Sequence, residues 1–106
     1  VRVLVEENNP KQDQKALIHI TKILNSEPNN PGVWRQAAII HGRKGDKGMT
    51  ALALAESAFG RGKYSDAVLQ SGRARELLAK GSPAWLRASD LNSAADRKEK
   101  QRKNRS

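Results

Sequence analysis

His19 and His41 have the widest catalytic repertoire in the chain, and cysteine is absent altogether. A catalytic zinc needs two histidines one helical turn apart with a glutamate beside them as base. Here the two histidines fall on different predicted helices and no further ligand stands at zinc spacing, so each reads as a packed or capped imidazole. His19 lies at the edge of an apolar stripe and His41 within one. No Ser/His/Asp arrangement or phosphate loop is present, and Gly60-Arg61-Gly62 lacks the further glycine and the preceding strand of a dinucleotide site. No catalytic, cofactor-binding or metal residue is therefore expected in these 106 residues. The missing cysteines remove disulfide and thiolate chemistry and leave the redox compartment open.

The other chemistry on offer is charge. The formal net charge is +9, and residues 97–106 hold six basic residues against one acidic, a net of +5 that leaves +4 for the body. A basic run of this kind reads as a solvated, disordered extension, with contact to phosphate or anionic lipid as the sharper alternative. It has no aromatic residue on which a base could stack.

The elements that position these residues are all helices. Gly48 to Lys80 organises the chain: Ala51, Leu52, Leu54, Ala55, Ala58 and Phe59 recur at helical spacing, then Ala67, Ser71, Ala74 and Leu78 do the same beyond the turn Gly60–Lys63. Two antiparallel helices result, their alanines allowing close approach and Leu54, Phe59, Tyr64 and Leu77 supplying bulk. Upstream, Ala16, Leu17, Ile20, Ile23 and Leu24 form one continuous stripe. Asn30-Pro31 and Ser82-Pro83 each pair a cap with a proline at the first helical position. The spacing predicts helices near 11–26, 32–44, 48–60 and 64–80 and a fifth from 83 to about 97, with Trp34 and Trp85 largely buried. Val1 to Glu7 fits a strand or a helix end, and the helical remainder favours the helix. The apolar start without methionine suggests a piece of a longer protein, with one domain over 1–96 and a tail over 97–106.

The hairpin carries a family resemblance. Gly62-x-Tyr64-x-x-Ala67, with Ala74 seven residues on and Leu54-Ala55 upstream, resembles a tetratricopeptide repeat. The same spacing returns in Ala16, Ile20, Ile23 and Pro28, and in Trp34, Ala37, Ala38 and Gly45, with His41 where the family has tyrosine. The resemblance implies an all-α fold of stacked antiparallel hairpins, an α-solenoid fragment of about five helices. One helix, Gly48–Phe59, would serve two overlapping hairpins, being too short and too soon followed by the next turn to serve one.

A longer string is more specific. Trp34-Arg35-Gln36-Ala37, Gly45-Asp46-x-Gly48-Met49-x-Ala51-Leu52-Ala53-Leu54-Ala55-Glu56 and Gly81-Ser82-Pro83-Ala84-Trp85-Leu86-Arg87-Ala88 resemble the C-terminal repeat region of bacterial envelope zinc metallopeptidases of the HtpX and CAAX-protease type. The resemblance implies a zinc peptidase domain upstream bearing His-Glu-x-x-His, with zinc only there, a secretory signal, and a periplasmic or envelope location; without it the location reads as cytoplasmic. It also implies a protein-interaction module that binds or admits protein or peptide, with Arg35, Ile39, Arg43, Met49, Leu52, Glu56 and Phe59 as groove candidates, although Leu52 and Phe59 also suit a core. Two other readings stand beside it: a stand-alone scaffold or dimerisation element, and a nucleic-acid-binding domain driven by the basic tail.

Overall fold

The computed structural model describes residues 10–104, and the expectation for Val1 to Glu7 lies outside them. Among the described residues the chain forms five helices and no strand: α1 (Pro10–Ser26), α2 (Pro31–Arg43), α3 (Lys47–Gly60), α4 (Tyr64–Leu77) and α5 (Pro83–Asn104). The starts arise from capping. Asn30 Oδ1 accepts the Val33 N–H at 3.2 Å ahead of α2, Asp46 Oδ1 accepts the Met49 N–H at 3.1 Å ahead of α3, and Ser82 Oγ accepts the Trp85 N–H at 3.2 Å ahead of α5. These bonds satisfy amides that have no partner within the helix.

The turn between α3 and α4 needs a glycine. Gly62 takes φ +76°, a left-handed angle costly for other residues, and the Lys63 N–H then reaches back to the Ala58 carbonyl at 2.9 Å. The chain reverses within three residues, so α3 and α4 form an antiparallel hairpin.

Each helix packs mainly on its neighbours in sequence, which gives an elongated body of 47 × 29 × 21 Å. Two clusters form the core, and α3 contributes to both. Ala16, Ile20, Val33, Ala37, Ala38 and Ile40 bury against Ala53 on one side. On the other, Ala51, Leu52 and Ala55 meet Ala74, Ala88 and Leu91. Alanine dominates these contacts, and its short side chain lets the helix axes come close. At Gly48 the approach is tighter still, since a Cβ there would stand 2.9 Å from Leu78 Cδ2.

Two expectations are corrected. The stretch from 97 onward, expected to be disordered, continues α5 without a break to Asn104. Neither glycine nor proline interrupts it, its Lys, Arg, Glu and Gln favour helix, Asp96 pairs with Lys100 at 3.0 Å one turn on, and the terminal cations suit the negative end of the helix dipole. Glu99 is buried beside the start of α4, its carboxyl held below the ordinary range first by Arg102 and then by Ser65. Trp34 and Trp85 are largely buried, as expected, each keeping one edge at the surface. The Trp34 ring packs against the α1–α2 cluster while its indole N–H donates to the Pro28 carbonyl at 2.8 Å, and the Arg75 guanidinium sits 5.4 Å from the Trp85 ring centroid. Leu77, expected to pack, is exposed because α4 ends there, and Leu78 turns inward instead.

Candidate functional site

No helix among the described residues is long and apolar enough to cross a membrane, and no three His, Asp or Glu side chains there gather into a group that could hold a metal ion. His19 is exposed on α1 and His41 half-buried on α2. Burial pushes the His41 imidazole below its usual pKa, with Asp46 opposing and Lys44 assisting.

A concavity runs along one face of α3, where α2 and α4 flank it. Two adjoining hollows of about 330 and 340 Å³ share Leu54 and Gln70 and form one channel. Thr50, Leu54, Ser57 and Ala58 of α3 lie along its floor at successive turns, and the small side chains keep it from filling. Arg35 and Gly42 of α2 make one wall, and Asp66, Leu69, Gln70 and Arg73 of α4 the other. Leu69 is 62% exposed, a large apolar side chain at the rim with no core to join.

The seven residues expected to share a groove divide between the two sides of α3. Arg35 lines the channel. Ile39, one turn further along α2, shares that helical face and is 43% exposed. Arg43 turns away and reaches Asp13 of α1 at 3.3 Å, tying the first two helices together. Met49, Leu52, Glu56 and Phe59 lie on the opposite side of α3. Leu52 is buried, while Met49 and Phe59 pack against the α3–α4–α5 cluster. Glu56 is buried as well and accepts two hydrogen bonds from Arg87 of α5, each 2.7 Å. Their hydrogen bond, foremost, raises the Arg87 guanidinium above its ordinary pKa. Leu52 therefore does not line an open groove, whereas Glu56 and Phe59 line a small separate hollow of about 180 Å³ with Pro28, Asn29 and Gly60. Phe59 also meets Tyr64 edge to face at 5.5 Å across the turn.

The channel contains residues that periodicity passed over. Leu69 falls outside the stripe of Ala67, Ser71, Ala74 and Leu78, and a bulky apolar residue off the buried stripe was the available signal. Arg61 and Lys63 read as turn residues, yet both line one end of the channel. Nothing in the spacing of α4 marked Gln70 or Arg73. In comparisons with protein-family models, curated proteins and solved structures, the chain matches none.

Proposed function

We propose that this chain is a non-catalytic protein-interaction module that holds a segment of another protein in the channel between α2 and α4. The observation that carries the reading is the channel itself: α3 offers a long face of small and apolar side chains, flanked by exposed Leu69, which no described residue covers. Grooves between packed helices suit extended or helical segments, whose apolar side chains enter while the flanks set register.

The parent we propose is a bacterial zinc-dependent metallopeptidase of the envelope, with these helices as its C-terminal tetratricopeptide-like region binding or admitting protein substrates or partners. The support is the string through Trp34, Gly45-Asp46, Leu54-Ala55, Gly62-x-Tyr64 and Ser82-Pro83-Ala84-Trp85. Zinc would belong to the peptidase domain upstream. An encoded His-Glu-x-x-His before Val1 supports that parent, and an upstream sequence without it removes the peptidase and leaves the stand-alone scaffold.

The module itself is tested by panning the chain against random peptides displayed on phage, then following its amide resonances as selected peptides are added. Shifts at Arg35, Leu54, Leu69 and Arg73 are expected. Failure to select peptides, or shifts confined to the α4–α5 side, overturns the reading.

A further inference from the structure

We infer that the channel is selective for an acidic segment with apolar anchors, a deepening that rests on the interaction reading above. Arg35, Lys47, Arg61, Lys63 and Arg73 line it, against Asp66 as its one carboxylate. Among the described residues none of these five cations is ion-paired. Arg61 Nε makes a hydrogen bond to Ser57 Oγ at 3.4 Å, which holds it against the floor.

Like charges gathered in a concavity raise the potential there and draw in the opposite charge. The end of α5 is as basic, but its cations differ. Asp96 and Glu99 neutralise Lys100 and Arg102, and the hollow beside them is lined by Tyr64, Lys98, Gln101 and Arg102 without an aliphatic residue. The channel instead sets its unpaired cations around Leu54 and exposed Leu69. That combination selects for carboxylates beside leucine-like side chains. A nucleic acid has the charge but no leucine-like side chain for Leu69, and no aromatic ring lines the channel to stack a base.

Length is set by geometry. From Lys47 to Arg61 the channel spans about 20 Å of α3, so an occupant in helical form needs about 14 residues. Lys47 at one end and Arg61 with Lys63 at the other place positive charge over both ends of such a segment.

Fluorescence anisotropy of the whole chain tests the inference with three labelled probes. The first is a peptide of about 14 residues with leucines at helical spacing and glutamates between them; the second is its twin with lysine for every glutamate; the third is a thymidine oligonucleotide of similar charge. The acidic peptide is expected to bind at least about tenfold more tightly than the basic twin, and to weaken as salt rises. Arg61→Glu with Arg73→Glu, both exposed positions, should abolish the preference, whereas Arg97→Glu with Lys98→Glu on α5 should leave it intact. Leu69→Ser should weaken the peptide and separate it from a purely electrostatic ligand. Equal binding of the two peptides, tighter binding of the oligonucleotide, or equal loss in the α5 variant overturns the inference. If panning yields peptides that shift channel residues but the acidic probe has no advantage, the interaction reading stands and this selectivity falls. If neither succeeds, both fall.

Discussion

The two sides of α3 have similar side chains and different fates. On one, Leu52 and Glu56 lie beneath α5, sealed by a bidentate bond to Arg87; on the other, Leu54 and Ser57 lie at successive turns beneath an open channel. A helix that is apolar or small on nearly every side is usually buried on every side. Here the body is one helix short of that. What α5 covers has become core, and what it leaves uncovered has become the candidate surface, so coverage and not composition separates the two.

Large-to-small substitution is the sharpest way to break the contrast. Leu52→Ala should cost about 2–4 kcal/mol, because a cavity remains between α3 and α5, while Leu54→Ala should cost about 1 kcal/mol at a half-buried site open to water. Urea unfolding of both variants checks this. Equal losses would mean that the channel side is as tightly packed as the other.

Arg87→Ala tests the seal. It leaves the Glu56 carboxylate buried without its partner, though the half-exposed Arg87 side chain already shares its charge with solvent, and about 1–2 kcal/mol is expected. Arg87→Lys should recover part, since an ammonium replaces two fixed donors by one. A loss below about 0.3 kcal/mol in the alanine variant would show that apolar contact alone holds α5 in place.

Acid should act first on the α2 side. His41 is held below its usual pKa in the folded chain, so the unfolded chain binds the proton more readily. Its contribution is therefore complete above about pH 6.5 and lost as pH falls from there through the lower folded value. Unfolding measured between pH 7.5 and 5 should show stability declining with acidity over that window and a flatter profile in His41→Gln. A decline of the same slope in both proteins would place the sensitive group elsewhere.

The smallest expected effect on stability, and the most diagnostic of function, is Leu69→Ser. An exposed side chain on the channel rim should alter unfolding by less than about 0.5 kcal/mol while weakening the acidic peptide. A large stability loss would place Leu69 in a packed contact and return the open face to the core.

Much of the framework is legible in the chain itself. Asn30-Pro31, the turn Gly60–Lys63 and Ser82-Pro83 mark starts and stops through local hydrogen bonds and backbone angles, and α2, α4 and α5 begin at or directly after those signals. Helix ends are less local. α4 stops at Leu77, earlier than its stripe suggested, and α5 runs on to Asn104 on ion pairs and helix-favouring residues that a count of basic charge treats as repulsion. The channel is partly legible: the repeat spacing points to Arg35, which lines it, whereas Met49, Leu52, Glu56 and Phe59 lie on the other side of α3.

The sequence alone determines the all-helical class, the count of helices and the turns between them, because these depend on periodicity, capping and glycine angles among residues close in the chain. Tertiary structure alone decided which side of α3 became core. Leu52 and Leu54 are the same residue type two positions apart, and their difference rests on α5 returning from more than thirty residues downstream to set Arg87 against Glu56. Long-range packing of that kind leaves no local periodic signal. The positive channel arises in the same way, since Arg35, Lys47, Arg61 and Arg73 come from three helices and the turn after one of them, and become one field only when the hairpins close.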